Sequence, residues 1–481
     1  MEFVEKTLKS LKYKIIAALK KNRIEDALCL ITSMAKLEYS YNQKYNDIFL
    51  ENILNRISKM YSKKINHTKD DKNVLFYDGF GLDSRGLAQI YIKALVQIGY
   101  TVIYVTEARE KKLQPQTLSL LKDNITINYS GKNNLDKIEW LSNIFSKYKF
   151  SNAFFYTTPW DAPGCIAFNQ LKSYCRRYLI NLTDHAFWLG LNSFDFLLEF
   201  RNYGAAISRD FRKVNPLKII NLPYYPIVNY VKFKGFPFDE KNKKVIFSGG
   251  SIYKTKDKFG TFFSLVENVV TNHPEVIFLY ASNGTSEQLE NLIKKYPNQV
   301  YRVNERNDLI EIMRHSYLYL NTYPISGALM LQYAALGKCI PITLRRPWDD
   351  DTSGILRNEE LLDEVFESVS SINNEINKLL SDNKYYLMKK NNLNGQVISD
   401  FEFTKELNDI LLNPQKHTLE TIKSVDTSKF VEWYKENLSN KDVIDAVINK
   451  NTIRNIVYFP TFIVLKLLYI LNKKIKYVFC N

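Results

Sequence analysis

The chain has 481 residues, a length that predicts two or three domains, each able to bury its own core. Its composition is 45% hydrophobic and 24% charged with only 17 glycines and 14 prolines, which excludes a fibrous or largely disordered protein. The formal net charge of +15 favours a phosphorylated molecule or an anionic lipid surface as partner. The basic residues are scattered and show no zinc-finger spacing, so we expect no nucleic-acid partner.

The cysteines and the first residues indicate the compartment. There are five cysteines, an odd number with no CxxC pair, which predicts a reduced, cytoplasmic chain. The opening MEFVEKTLKSLKYK has neither the apolar core nor the cleavage site of a secretory signal. We expect a cytoplasmic protein, at the inner face of the membrane if its C-terminal tail binds lipid.

Residues 1–70 are predicted to form a helical region. Apolar residues recur at helical spacing from Leu8 to Leu19 and again as far as Met60. A polar stretch, His67 to Asn73, follows as a linker. These helices are expected to recruit a protein partner or substrate.

An alternation of short apolar runs and amphipathic helices begins at Val74. The run VLFYDGF ends in a glycine-rich turn, 86–98 is a helix, and TVIYVTE is the next strand, an order typical of a parallel α/β sheet. Further strands are predicted at ITINYS, NAFFYTT, RRYLINLTD and AAISR. Residues 74–235 are therefore predicted to form a first Rossmann-like domain.

A second cycle of the same pattern follows in residues 240–415. Its predicted strands are KKVIFSGG, VIFLYAS, QVYRV, LYLNTYP and CIPITL, and its predicted helices are 262–272, 286–296, 307–316 and 328–336. Residues 416–481 are predicted to be helical. The predicted fold class is α/β, with two Rossmann-like doubly wound domains facing across a cleft, an N-terminal helical extension and C-terminal helices.

The first candidate site is the turn at 78–86, which contains Gly79 and Gly81. Ligands of parallel sheets bind beyond the carboxyl ends of strands, and glycines let the backbone approach a ligand closely. We therefore expect both glycines to contact a bound ligand. The alternative is a tight turn in which Asp83 or Ser84 caps the next helix.

The second candidate site combines the glycines at 249 and 250 with a lysine run. Gly249 and Gly250 end a strand, and Lys254, Lys256 and Lys258 follow them. Lysines beyond such a turn can neutralise a diphosphate. The alternative is a solvated charge run, and we expect only one or two of the lysines to bind the phosphates.

The third candidate site is the turn from Asn321 to Ala328. A strand end, a proline and a Ser-Gly pair lead into a helix, an arrangement that predicts backbone amides aimed at one anion. A capped helix explains the Ser-Gly pair but not its combination with the following Ala-Leu-Gly-Lys. The candidate ligand-binding residues here are Tyr323, Pro324, Ser326, Gly327 and Ala328.

His185 is the candidate catalytic residue. It ends the segment Asn181–His185, just after a predicted strand. An imidazole at this place could take a proton from a substrate hydroxyl. The alternative is a structural histidine paired with Asp184. Nearby arginines either bind an anionic ligand or form ion pairs on a helix surface; they are Arg201, Arg209 and Arg212.

The order of these turns resembles that of GT-B glycosyltransferases, in particular bacterial glycosyltransferase families 1 and 4. Val74–Thr106 resembles the opening of such enzymes and Val245–Leu344 their donor-binding half, within a match over residues 74–410. The resemblance implies that a nucleotide-sugar donor binds the second domain and that the acceptor faces the first. It further implies that the candidate residues of the three turns bind the donor and that no metal cofactor is needed. Asp349–Asp351 lies past the last predicted strand and is expected to be a solvated loop.

The third turn departs from the pattern of many retaining GT-B enzymes. Those enzymes carry two glutamates eight residues apart, and here Pro324 and Gln332 occupy these places. The resemblance implies that Gln332 hydrogen-bonds a donor ribose. The TyrPro-x-SerGly pattern resembles a loop of protein O-GlcNAc transferases and related bacterial enzymes, so the stereochemistry stays open.

The tail Ile456–Lys476 is the candidate membrane contact. Its apolar stretch is interrupted by Pro460 and Lys466 and is shorter than the ~20 residues of a spanning helix. Lysines follow it, as in a helix that lies in the membrane interface. The alternative is a helix packed on the body of the protein.

The sequence thus predicts a glycosyltransferase that moves a sugar from a nucleotide-sugar to a hydroxyl of a glycan, lipid-linked or protein acceptor, in surface polysaccharide or glycoconjugate biosynthesis. One alternative is an inactive GT-B subunit that acts as partner or chaperone of another transferase. A second is a nucleotide-sugar epimerase, against which the missing glutamates argue.

Overall fold

A computed structural model describes residues 2–479 apart from a set of short segments. The segments outside the description are 64, 66–67, 84–85, 109–111, 113, 122–123, 130, 132, 229–230, 346–353, 359–361, 363–364 and 449–456. The chain divides into two compact units, Met1–Leu222 with Thr404–Asn481, and Pro223–Phe403. Each unit is built on one parallel sheet.

The N-terminal region is helical, as predicted. Its helices are α1 (Glu2–Lys20), α2 (Ile24–Tyr41) and α3 (Ile48–Tyr61). Asn42 ends α2 in the left-handed conformation, and the Asp47 side chain caps α3 by accepting from the amide of Leu50. The apolar faces of these helices belong to the same buried cluster as the strands of the first sheet. The region is therefore part of the core of the first unit.

The first sheet is doubly wound. Within the described residues its strands are all parallel, in the order β3-β2-β1-β4-β5-β6-β7. The strand order reverses between β1 and β4, which is where such sheets bind ligands. The strands are β1 (Asn73–Asp78), β2 (Thr101–Thr106), β3 (Ile125–Asn128), β4 (Asn152–Tyr156), β5 (Arg176–Ile180), β6 (Phe196–Glu199) and β7 (Ile219–Asn221). The helices between them are α4 (Leu87–Ile98), α5 (Pro115–Leu120), α6 (Asn134–Lys147), α7 (Ala162–Asn169) and α8 (Asn202–Asp210).

The predicted strand AAISR is wrong, because residues 205–209 lie inside α8. The strand that was missed, β6, comes just before it. Nearly every side chain from Tyr203 to Ser208 is buried, so the segment lacks the polar face that marks a surface helix. Continuous burial of this kind cannot be told from a buried strand by periodicity alone.

The second sheet repeats the same winding. Its strands, again counted over the described residues, are parallel in the order β10-β9-β8-β11-β12-β13, with the reversal between β8 and β11. They are β8 (Lys244–Gly249), β9 (Val276–Ala281), β10 (Val300–Val303), β11 (Leu318–Leu320), β12 (Ile340–Leu344) and β13 (Val365–Phe366). The helices are α9 (Thr261–Asn272), α10 (Glu287–Lys295), α11 (Leu309–His315), α12 (Ala328–Leu336), α13 (Val369–Ser381) and α14 (Asn383–Asn391).

The C-terminal helices are α15 (Asp400–Leu412), α16 (Ser428–Asn437), α17 (Asn440–Val447) and α18 (Pro460–Phe479). Ile456, the first residue of the predicted membrane tail, lies outside the described residues. The tail packs on α1 at its beginning, where the Phe462 ring stacks 5.6 Å from Phe3 and Lys14 donates to the carbonyl of Tyr458 at 2.6 Å. Among the helices described, none has the length and hydropathy needed to span a membrane.

Candidate functional site

The second unit contains a cleft of about 460 Å³ at the carboxyl ends of β8 and β9. It is lined by 249–254, 281–284, 305, 306 and 309, together with Phe247 and Met330. Gly249, Gly250 and Lys254 of the predicted donor residues line it. The cleft lies beside the reversal of strand order, where an open parallel sheet places its ligand.

The glycine turn after β8 leaves room for a ligand. Gly250 has φ +140°, and a Cβ built on it would meet nothing within 4 Å except the Cδ of Lys254, at 3.8 Å. Its amide donates to the carbonyl of Ala281 at 3.1 Å, and its carbonyl accepts from the Tyr280 hydroxyl at 3.1 Å. A glycine here therefore both adopts a conformation that side chains disfavour and opens the cleft.

The three candidate lysines lie in different surroundings. Lys254 is half-buried and lines the cleft. Lys256 and Lys258 are exposed and are absent from its lining, and the Lys258 ammonium lies 5.8 Å from the ring of Phe259. Lys254 is thus the lysine that could reach an anion in the cleft.

The third turn is closed by the side chain of Asn321. Its Oδ1 accepts from the amides of Thr322 at 3.0 Å and Gly327 at 2.8 Å. The Thr322 hydroxyl donates to the carbonyl of Ile325 at 2.7 Å, and the turn includes a cis peptide bond between Tyr323 and Pro324. The Gly327 amide, expected to face an anion, is therefore engaged within the turn.

The second and third turns are joined, because the amide of Ile325 donates to the carbonyl of Lys254 at 3.2 Å. The third-turn residues predicted to bind the donor do not line the cleft in the described part of the chain, whereas Met330, one turn into α12, does. Ala328 is the first residue of α12, where amides have no acceptor within the helix. The donor-binding assignment of this turn stays a prediction.

Gln332 is buried in the body of the second unit. Its Nε2 donates to the carbonyls of Tyr224 at 2.9 Å and Ile355 at 3.2 Å. Its Oε1 has no hydrogen-bond partner among the described residues. The side chain thus ties two backbone segments together, and its contact with a ribose stays a prediction.

The first turn is organised by Asp78 at the end of β1. Its Oδ1 accepts from the amides of Phe80 and Gly81 at 2.9 and 3.0 Å, and its Oδ2 accepts from Tyr104 at 2.7 Å. The amide of Gly79 donates to the carbonyl of Tyr156 at 2.8 Å. The amides of Gly79 and Gly81 are thus engaged inside the first unit, and their role in donor binding stays a prediction.

The expected cap of α4 by Asp83 is wrong. Gly86 occupies the N-cap position of α4, and no side chain caps it. Asp83 instead accepts from the amides of Gln116 and Thr117, at 2.7 and 3.1 Å, at the start of α5. The other candidate cap, Ser84, lies outside the described residues, as do His67 and Asp349–Asp351.

A buried ion cluster lies beneath the first turn. The Lys137 ammonium contacts Glu107 and donates to Asp161 at 2.7 Å, and the Tyr77 hydroxyl donates to Asp161 at 2.9 Å and contacts Glu107. Burial raises the pKa of Glu107, whereas Lys137 holds the pKa of Asp161 below its ordinary value against the effect of burial. Thr157 donates to Asp161 at 2.6 Å, so the cluster positions the end of β4.

His185 lies in a loop whose neighbouring carboxylate is charged. Its Nδ1 is 3.3 Å from Oδ1 of the buried Asp184, and about a third of its side chain is exposed. The Arg201 guanidinium donates to Asp184 at 2.6 Å, and the pKa of Asp184 is held well below its usual range despite burial. The Phe430 ring lies 6.5 Å from the imidazole. A partly exposed imidazole with an ionised partner is suited to accept a proton.

Arg212 shapes the backbone of the same loop. Its guanidinium is buried and donates to the carbonyls of Thr183, Asp184 and Ala186 at 3.1, 2.9 and 2.5 Å. Beside it, burial raises the pKa of Glu199 to about 7 although Arg212 opposes the shift. The expectation of helix-surface ion pairs is wrong for Arg201 and Arg212, because both are buried in support of the loop. Arg209, by contrast, forms an ion pair with Asp210 at 2.6 Å. Ligand binding by these arginines stays a prediction.

The expectation of a metal-free mechanism stays a prediction. Among the described residues no group of three or more His, Cys, Asp or Glu side chains could hold a metal ion.

No protein-family model and no curated protein matches the chain. Solved structures match it at low sequence identity. An O-GlcNAc transferase from Thermobaculum terrenum has 14% identity and a TM-score of 0.50, covering 90% of this chain and 81% of that one. A glycosyltransferase from Rickettsia africae has 12% identity and a TM-score of 0.53, over 71% and 98% of the two chains. A UDP-GlcNAc 2-epimerase from Neisseria meningitidis, bound to UDP-GlcNAc, has 12% identity and a TM-score of 0.52, over 71% and 99%.

These similarities, with the two doubly wound sheets, show that the chain has the GT-B fold. The predicted α/β fold class, with two Rossmann-like doubly wound sheets and helices at both ends of the chain, is confirmed. The fold is shared by transferases and epimerases, so the reaction has to be argued from the residues of the sites.

Proposed function

We propose that the protein is a nucleotide-sugar-dependent glycosyltransferase of the kind found in bacterial glycosyltransferase families 1 and 4. The observation that carries the proposal is the cleft at the carboxyl ends of β8 and β9, in which a glycine turn and Lys254 lie together. A cleft of about 460 Å³ is within the range of small-molecule sites, roughly 300–1,000 Å³. The solved transferase and epimerase of similar fold, whose names include O-GlcNAc and UDP-GlcNAc, support a sugar nucleotide as the ligand.

In the proposed reaction the acceptor hydroxyl oxygen forms a bond to the anomeric carbon of the donor. The bond from that carbon to the phosphate oxygen breaks, and its electron pair leaves with the nucleoside diphosphate. Lys254 stabilises the charge that develops on the leaving diphosphate. Arg306, whose guanidinium is paired with Asp308 at 2.5 Å, also lines the cleft. His185 accepts the proton of the acceptor hydroxyl, and Asp184 stabilises the imidazolium that forms.

A thermal-shift screen with UDP, GDP, CDP and UDP-GlcNAc tests the donor site. A ligand at a hundredfold excess over its Kd stabilises the folded state by about 2.7 kcal/mol. Ser251→Trp fills the mouth of the cleft from an exposed position, and Ser264→Trp on α9 is the matched surface control. We expect one nucleotide to raise the Tm of wild type and of Ser264→Trp but not of Ser251→Trp. The absence of a shift with every nucleotide would contradict the donor site and favour an inactive subunit.

Incubation with UDP-GlcNAc distinguishes the reactions. Release of UDP supports transfer to an acceptor or to water, whereas a new UDP-sugar formed without UDP release would identify an epimerase instead. Surface polysaccharide or glycoconjugate synthesis is the proposed setting, with a glycan, lipid-linked or protein acceptor.

We also propose that α18 contacts an anionic membrane surface. Beyond its packed beginning the helix exposes a row of apolar side chains, which are Val464, Leu465, Leu467, Leu468 and Ile470. The sequence places lysines after this row, as in interfacial helices. Sedimentation with phosphatidylserine vesicles should be lost in the double variant Leu467→Glu and Leu468→Glu. Equal sedimentation of variant and wild type would refute the contact.

A further inference from the structure

The loop that carries His185 is held from one side by Asn42, the residue that caps the end of α2. The Asn42 carboxamide donates from Nδ2 to the carbonyl of His185 at 3.0 Å, and its Oδ1 accepts from the amide of Phe187 at 3.0 Å. The side chain is completely buried. Both polar groups of one asparagine therefore bond to the backbone on the two sides of Ala186.

The same loop is held further along by α3. The buried carboxylate of Glu51 accepts from the amides of Gly190 at 2.8 Å and Leu191 at 3.0 Å. We refer to residues 184–191 as the His185 loop. Its bonds to Asn42 and Glu51 join residues separated by more than 130 positions in the chain.

The capping role of Asn42 does not require its side chain. Asn42 has φ 43°, and its backbone amide donates to the carbonyl of Glu38. Glycine is at least as well suited as asparagine to this left-handed position at the end of a helix. Asn22, just beyond α1, has φ 55° but an exposed side chain for which the described residues offer no hydrogen-bond partner. The difference between the two asparagines is the contact with the His185 loop.

We propose that Asn42 and Glu51 are positioning residues that hold the His185 loop, and through it the imidazole of His185, in the arrangement needed for the transfer step. This inference rests on the proposed function of His185 as proton acceptor. It gives the N-terminal helices a part in catalysis although they supply no reacting group. The loop carries both His185 and the Asp184 carboxylate, so a displaced backbone changes the place of the base and of its partner together.

The test compares Asn42→Gly with Asn22→Gly in the full chain. Each change replaces an asparagine by glycine at a positive φ, so both keep the helix end. In hydrogen–deuterium exchange we expect faster exchange across residues 183–191 in Asn42→Gly alone. Asn42→Asp keeps an acceptor for the Phe187 amide and loses the donor to His185, so its exchange should be intermediate. Equal exchange in the two glycine variants would overturn the inference.

Release of UDP from UDP-GlcNAc measures the consequence for the reaction. Since small misplacements of reacting groups cost up to about 100-fold, we expect Asn42→Gly to lower kcat by about 10- to 100-fold with an unchanged donor KM. In a His185→Ala background the same substitution should have no further effect, because a residue that acts through His185 has nothing left to position. An equal loss of kcat in the wild-type and His185→Ala backgrounds would show a general structural role of Asn42 and overturn the inference.

The outcomes separate this inference from the function on which it rests. Wild-type turnover in His185→Ala would overturn the assignment of the base, and with it the positioning role. Reduced turnover in His185→Ala with wild-type turnover in Asn42→Gly would overturn only the inference. If wild type releases no UDP from UDP-GlcNAc, that donor is wrong for the proposed function, and the exchange measurement alone decides whether Asn42 holds the loop.

Discussion

Glu51→Gln should change how the stability of the first unit depends on pH. Burial raises the pKa of Glu51 from about 4.5 to about 7, although the amides of Gly190 and Leu191 favour its charged form. The folded state therefore holds this proton more tightly than the unfolded state, and stability falls as pH rises from 4.5 to 7. A carboxyl group whose pKa is raised by this amount on folding lowers the free energy of unfolding by about 3 kcal/mol above pH 7, where the group is ionised. Glutamine has no such cost, so the variant should gain stability relative to wild type by about 2.5 kcal/mol between pH 5 and pH 8.

Urea unfolding followed by tryptophan fluorescence measures this difference. Of the five tryptophans, Trp140, Trp160, Trp188 and Trp433 lie in the first unit, so the signal reports mainly on the unit that contains Glu51. Glu139→Gln, at an exposed position on α6, is the control and should follow the wild-type pH dependence. If Glu51→Gln and wild type show the same pH dependence, the carboxylate is ionised without penalty and the reasoning from burial fails.

Three further predictions concern the candidate sites. Lys254→Met should weaken UDP binding in calorimetry by about 10- to 100-fold, the worth of a hydrogen bond to a charged group, whereas exposed Lys258→Met should bind as wild type. Gly79→Ala would place a Cβ 2.1 Å from Oγ1 of Thr157. This clash should destabilise the first unit by about 1–3 kcal/mol in thermal unfolding, and adding Thr157→Ala should restore part of the lost stability. Asp184→Asn removes the negative charge that the buried guanidinium of Arg201 contacts at 2.6 Å and should cost about 3–5 kcal/mol at pH 7. Because the folded-state pKa of Asp184 is lowered, the ionised side chain adds to the free energy of unfolding above pH 4, and this contribution is lost as the pH falls further. The urea midpoint of the variant should therefore change less between pH 7 and pH 3 than the wild-type midpoint.

The sheets could be predicted because most strands are short apolar runs followed by a turn residue. The runs at β1 and β8 end in glycines, and their helices show a clear apolar face. The prediction failed at α8, where the run from Tyr203 to Ser208 is buried throughout and is short enough to be mistaken for a buried strand. Apolar runs therefore identified most strands, but a short buried run did not distinguish a helix from a strand.

The candidate sites were predictable only in part. The glycines and the lysine run pointed to the turn after β8, but which lysine lines the cleft depends on how the residues after Gly250 turn, and the spacing of charges does not show this. His185 was identifiable from its place after β5. Its supports were not, because Asn42, Glu51 and Arg212 are 26 to 145 positions away from the backbone groups that they bind. Long-range hydrogen bonds of this kind leave no periodic trace in one sequence.

The two units have the same hydrogen-bonding arrangement in the turn where the strand order reverses. In the first, Asp78 at the end of β1 accepts two amides of the turn that follows it; in the second, Asn321 after β11 does the same. Each turn is thus folded around a side chain of its own strand before any ligand arrives. When a ligand binds beside such a turn, little conformational entropy is lost, because the turn is already ordered. We expect association rates limited by diffusion and orientation rather than by loop ordering, and free and bound forms with nearly the same backbone at these turns.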